Sequence, residues 1–332
     1  MTQVAGIILG LLVPAFVLVR YAPPQKPPPL RLVQTTPLPN VEGRIDHLAV
    51  DVRNQGLFLA ALGNNTLEVI DLKSGKVIHS VRGLNEPQGI AFIPEANLVW
   101  VANGGDGDCK AFAADTLAPL RNAKFSSDAD NLRYDAATKL LYVGYGAGAI
   151  GIFDALTGKI IGDIKLPAHP EAFALEQSGP RIFVNLPNAK QVAVIDRQKR
   201  AVIARWPVTQ AAANYPMSLD EANHRLFIGC RQPARILVLD TGSGKMVTEF
   251  ECAGDTDDVF YDGKNKRVYV SGGEGFISVV AQLDADRYQS ITKMPTAAGA
   301  RTSLFVPALG RLYLAVPHRG KQAAEVRACE TQ

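Results

Sequence analysis

The chain carries one short hydrophobic motif seven times: an apolar residue, an aromatic and a second apolar residue, followed by a small or neutral side chain. It reads Leu57-Phe58-Leu59, Val99-Trp100-Val101, Leu141-Tyr142-Val143, Ile182-Phe183-Val184, Leu226-Phe227-Ile228, Val268-Tyr269-Val270 and Leu312-Tyr313-Leu314. The aromatic positions step by 42, 42, 41, 44, 42 and 44 residues, a fixed period that marks a repeat architecture. Four short segments recur in each unit. An apolar run such as Leu48-Ala49-Val50 or Leu132-Arg133-Tyr134 precedes the aromatic strand, and a third run such as Leu67-Glu68-Val69-Ile70-Asp71 or Ile236-Leu237-Val238-Leu239-Asp240 follows it. The third run closes on Lys73-Ser74-Gly75-Lys76, Leu156-Thr157-Gly158-Lys159 or Gly242-Ser243-Gly244-Lys245, where glycine supplies the positive φ of a tight hairpin. A fourth segment, Lys76 to Val81 or Lys159 to Leu166, completes the unit. Short runs rich in Val, Ile and aromatics between Gly, Asn and Asp turns are antiparallel strands. Four of them per period of roughly 40–45 residues make a propeller blade. The pattern predicts an all-β fold, a seven-bladed β-propeller of four-stranded antiparallel blades.

The seventh unit has only Ala323 to Ala328 after its aromatic strand, so its fourth strand must come from elsewhere. Arg31 to Pro39 matches the outer strand of the preceding unit, Tyr288 to Pro295. An N-terminal strand completing the last blade closes the ring and hides sheet edges. Ahead of it, Val4 to Val19 is sixteen residues without a charge, and Ala22 to Pro29 reads APPQKPPP. The first is intermediate in length between a signal-peptide core and a membrane span; the second is a stiff, extended spacer. The expected organisation is a signal peptide or N-terminal membrane anchor over 1–21, a Pro-rich spacer over 22–29 and the propeller over 30–332. Export is favoured, to the periplasm or outside the cell, with N-terminal membrane anchorage as one form of it. Arg20, Lys26 and Arg31 on the C-terminal side run against the positive-inside rule, which does not bind a folded domain that is translocated whole.

The seven [LIV]-[FYW]-[LIV] strands, with Asp-x-x-[ST]-Gly-Lys hairpins in several units, resemble the YVTN-repeat, YncE-like seven-bladed propellers. The resemblance spans Leu30 to Cys329. It implies the fold and an exported protein, and it implies no activity, since the recurring residues build blades. The Gly-His and Trp-Asp dipeptides of WD40 repeats are absent.

Composition narrows the rest. At 332 residues and 47% hydrophobic the chain can bury a large core. Lys plus Arg number 35 against 32 Asp plus Glu, with no long basic run, so no nucleic-acid partner is expected. Cysteines 109, 230, 252 and 329 are far apart and form no CxxC, which excludes the usual zinc, thioredoxin-like and covalent-haem patterns. They read as free or buried thiols.

In a propeller the start of the inner strand and the end of the second strand meet at one mouth of the central channel. Twelve residues before each aromatic stand Asp46, Gln88, Asp130, Glu171, Tyr215, Asp257 and Arg301; eleven before stand His47, Gly89, Asn131, Ala172, Pro216, Asp258 and Thr302. Five of the first seven are charged, against 20% of the whole chain. Two residues after the aromatic the ring is small apart from Asn185, and Asn103, Tyr145, Cys230-Arg231 and His318 are expected to reach over the same mouth. The candidate ligand-binding set is therefore Asp46, His47, Gln88, Asn103, Asp130, Asn131, Glu171, Tyr215, Arg231, Asp257, Asp258 and Arg301.

Three readings of this mouth stand side by side. It binds a small molecule or peptide. Alternatively Asp46, Asp130, Glu171 and Asp257 collect Ca²⁺ as hard oxygen ligands, in a metal-assisted hydrolase of the lactonase type. A catalytic version makes His47 a general base oriented by Asp46 or Asp258, with Arg301 facing an oxyanion and His169 and His318 as further candidates. The third reading is a scaffold for a cell-envelope protein partner. Without a metal, the acids pair with Arg301, Arg231, Arg133 and His47. No Gly-x-Ser-x-Gly elbow or P-loop is present.

Overall fold

The computed structural model describes residues 1–3, 6 and 27–332. The expected leader or anchor and most of the spacer lie outside the described residues. Among the described residues, no helix is long and apolar enough to cross a membrane.

Seven four-stranded sheets follow one another around a ring. Blade 1 is Leu48–Asp51, Gly56–Ala61, Thr66–Asp71 and Lys76–Val81, paired antiparallel in that order. The inner strands of blades 2 to 6 are Pro87–Ile93, Ala129–Asp135, Phe173–Leu175, Ala212–Asp220 and Thr256–Asp262. Blade 7 takes Ser303–Val306, Arg311–Val316 and Glu325–Thr331 from the C-terminal end of the chain. Its fourth strand is Leu30–Pro37, in antiparallel register from Leu30 opposite Thr331 to Pro37 opposite Glu325. The ring is thus closed as expected, with the third strand of blade 7 a few residues later than Ala323 to Ala328.

The aromatic of each motif is a buried knob between blades. Phe58, Trp100, Tyr142, Phe183, Phe227, Tyr269 and Tyr313 are all at most 2% exposed. The core is accordingly divided into clusters at blade interfaces, such as Trp100, Leu141 and Phe153 between blades 2 and 3, or Leu57, Tyr313 and Val326 between blades 1 and 7. Outer strands are mostly solvated and alternate in exposure, as Ala201–Pro207 does.

The hairpins after the third strands have a shared chemistry. Asp71, Asp154 and Asp240 each accept backbone N–H groups two and three residues on, at 2.7–3.2 Å. Gly75, Gly158 and Gly244 then take φ of 64°, 76° and 70°, the left-handed geometry that a Cβ resists. In blade 4 Arg200 occupies that position with φ 52°. The four cysteines are buried and unpaired.

Candidate functional site at the channel mouth

A local irregularity aims the candidate residues. At the start of the inner strands of blades 2, 3 and 5, two residues oppose one on the second strand: Gln88 and Gly89 face Ala102, Asp130 and Asn131 face Gly144, Tyr215 and Pro216 face Gly229. Blades 1 and 4 repeat this through backbone bonds, Ala60 bridging Asp46 and His47, and Asn185 bridging Glu171 and Ala172. Such a bulge re-aims a side chain, here toward the axis. The small residues two after the aromatic therefore sit opposite the bulge. A Cβ on Gly89 would lie 2.2 Å from the Asp130 carbonyl oxygen, so only glycine lets blades 2 and 3 approach there.

All seven twelve-back residues line one cavity of about 310 Å³, together with Arg44, His47, Asp128, Asn131, His169, Ala172 and Arg231. Two of the twelve candidates lie elsewhere. Asn103 is fully buried in its turn, accepting from the Asn85 N–H at 3.1 Å and donating to the Asp108 carbonyl at 2.6 Å; its amide satisfies a tight loop and does not reach the mouth. Asp258 faces the channel below the mouth and accepts from the Ser303 N–H at 2.7 Å. Of the other residues expected over the mouth, Tyr145 donates to Asp163 at 2.6 Å, Cys230 is buried, and His318 pairs with Glu42 at 2.7 Å. Arg44, Asp128 and Asp255, which the twelve-back register does not include, lie just before the inner strands, each two residues ahead of its member of that register.

The charges fall into two groups. On one side Asp257 sits between Arg231 at 2.6 Å and Arg301 at 2.9 Å, and Arg301 also donates to both oxygens of Asp255 at 3.0 and 3.1 Å. Arg231 lies 3.9 Å from the centre of the Tyr215 ring, a cation–π contact. Two arginines and two aspartates neutralise one another, so Arg301 is not free to face an oxyanion.

On the other side pairing is incomplete. Asp46 is bound by Arg44 at 3.0 Å and by the His47 Nδ1. Burial would lower the His47 pKa, but Asp46 overrides it and the imidazole is raised to about 10, which favours its charged form. His169 donates to the Gly146 carbonyl at 2.6 Å and lies 3.5 Å from Asp128 and 4.0 Å from Asp130. Burial opposes its charge too, yet Asp130 and the Gly146 carbonyl hold it protonated up to about 9. Glu171 is pushed up to about 7 by burial and then by Asp130. Asp130 Oδ1 and Asn131 Oδ1 are buried without a hydrogen-bond partner.

The four acids of the expected calcium set, Asp46, Asp130, Glu171 and Asp257, line the same cavity, and Asp257 is paired there with Arg231 and Arg301. Among the described residues the group whose ligand atoms gather within 4.8 Å is Asp46, His47 and Asp130.

Fold and site together define a seven-bladed propeller with a charged, concave channel mouth. No family model matches the chain, and no curated protein does. Solved structures do. A chain of the mitotic checkpoint complex is 13% identical with a TM-score of 0.75, covering 96% of this chain and 99% of that one. Hydrazine synthase of Kuenenia stuttgartiensis is 13% identical at TM-score 0.75, covering 88% and 97%; the WD40 repeats of RRP9 are 11% identical at 0.75, covering 91% and 97%. At such identities the likeness is one of fold.

Proposed function

We propose that this chain is an exported or membrane-tethered propeller of the YVTN-repeat, YncE-like kind that binds a small molecule or peptide at its channel mouth. One observation carries the reading: seven residues from seven blades, equivalent in register, line a single cavity. Rigid scaffolds place function on such convergent loops. The chemistry of the mouth favours a ligand that brings a protonated amine. The arginine side is already neutralised by Asp255 and Asp257, whereas Asp130 Oδ1 and Asn131 Oδ1 are buried acceptors awaiting a donor, beside the strained carboxyl of Glu171.

Thermal-shift measurements against amines, amino acids, short peptides and matched carboxylates test this. Ammonium-bearing compounds are expected to raise the melting temperature by mass action, and Asp130→Asn with Glu171→Gln to remove the shift. A response to carboxylates alone, or one indifferent to both substitutions, defeats the reading.

A second reading rests on the convergence of Asp46, His47 and Asp130 within 4.8 Å. These residues suit a dication, Ca²⁺ or a metal that also accepts imidazole, as a lactonase-type hydrolase requires. Binding of Ca²⁺ or Mn²⁺ that Asp46→Ala abolishes supports it; blank calorimetry for both ions removes it. An envelope protein as the occupant is the third reading, supported by capture on the mouth that Glu171→Lys breaks.

A further inference from the structure

We propose that the channel below the mouth is a second ligand site, selective for an apolar monocarboxylate whose anionic end is held by Arg133. His47 and Ala172 line both the mouth and a lower cavity of about 570 Å³, which marks the boundary between them. Nine residues before each aromatic stand Ala49, Ala91, Arg133, Ala174, Ser218, Phe260 and Leu304, and all seven line this lower cavity. The small residues among them leave room at the axis, and Arg133 is the single cation of that ring.

The Arg133 guanidinium is not neutralised as its counterparts above are. It lies 5.5 Å from the centre of the Phe173 ring, and its Nη1 donates to the carbonyl of Leu132, its chain neighbour, at 2.8 Å. Among the described residues it forms no ion pair within 4.0 Å, the distance at which Arg231 and Arg301 are bound by aspartates. The acid nearest the lower channel is Asp258, which spends one oxygen on the Ser303 N–H. Burial pushes that carboxyl up to about 7 against the pull of His47 and, more weakly, of Arg133, and it makes no ion pair with the guanidinium within 4.0 Å. The cavity therefore holds a guanidinium without an ion-pair partner among the described residues. A half-buried cation without a partner carries an uncompensated desolvation cost. A carboxylate matches the guanidinium fork in charge and planarity.

The remaining wall suits the body of such a molecule. Phe92, Tyr134, Leu219 and Phe260, each partly exposed, and the buried Phe305 are among its lining residues. An apolar cavity ending in a few convergent polar groups is the usual form of a small-molecule site. Charge selects an acid over a neutral or cationic amphiphile of the same length.

Calorimetry and thermal shift with decanoate, decanol and decyltrimethylammonium on the wild-type chain test the proposal. Decanoate is expected to bind at one site per chain and to raise the melting temperature, with decanol weaker and the cation inert. Arg133→Met is expected to weaken decanoate by at least about tenfold, the scale of one lost charged hydrogen bond. Ala91→Trp, which fills the lower cavity, is expected to abolish binding, and Arg121→Ala on an exposed outer strand to leave it unchanged. Equal binding of the three head groups, no binding of decanoate, or indifference to both Arg133→Met and Ala91→Trp overturns the site. The head-group comparison decides the matter even where a variant fails to fold.

Discussion

At the scale of single residues, acid enrichment alone does not mark the site. Seven residues before the aromatics stand Asp51, Asp135, Glu176, Asp220 and Asp262, five acids against the four of the mouth ring. Each member is spent on structure: Asp51 accepts the N–H groups of Arg53 and Asn54, Asp262 those of Lys264 and Asn265, and Glu176 binds Arg181. What distinguishes the mouth acids is the cavity before them, and among them Glu171 forms no ion pair within the described residues. Glu171 shows the consequence. Its folded pKa of about 7 lies above the ordinary 4.5, so the folded state holds the proton more tightly than the unfolded chain. The penalty is absent below the unfolded pKa, grows as pH rises from about 4.5 to 7 and is then constant. Glu171→Gln is therefore expected to raise the melting temperature at pH 8 and to do so progressively less toward pH 4. A gain independent of pH, or a loss at pH 8, would show that the ionised carboxylate is already stabilised by a partner.

Among elements, the blade interface is the stabilising unit. Trp100 is fully buried, meets Phe153 edge-on at 5.0 Å, and donates its indole N–H to the Ala155 carbonyl of blade 3 at 2.8 Å. Its removal opens a cavity and orphans a buried acceptor, so Trp100→Ala is expected to cost about 3–5 kcal/mol in chemical denaturation. A loss under about 1 kcal/mol would mean that the interface collapses to fill the space. The strands themselves and the Asp-containing hairpins were readable in advance, because apolar alternation and turn residues are local signals. The bulges at the inner-strand starts were not readable. They depend on a second strand whose facing residue is small, and positions twelve before the aromatics meet at the mouth, where blades 1 to 5 carry that two-against-one irregularity.

For the whole molecule, closure is the feature on which the rest depends. Leu30–Pro37 pairs with Glu325–Thr331 and covers the last edge of the ring. Deletion of residues 31–39 is expected to cause aggregation or a marked fall in melting temperature, read by size-exclusion chromatography and thermal denaturation, since it exposes an unpaired strand; a soluble, equally stable product would refute the closure. Blade number, strand order and this closure follow from the sequence by itself, because a seven-fold period and a missing outer strand admit few other arrangements. The sequence also determined which register positions meet at the axis. Only the tertiary structure decided how the charges are shared there. Asp257 could have served a metal or a ligand, and it is taken by Arg231 and Arg301; Asn103 could have reached the mouth, and it is consumed by its own turn. Among the described residues Arg133 forms no ion pair within 4.0 Å, because most of the side chains lining the lower channel with it are small or apolar. Such outcomes turn on differences of an ångström between side chains from blades far apart in the chain, and periodicity, which is a property of neighbours along it, carries no record of them.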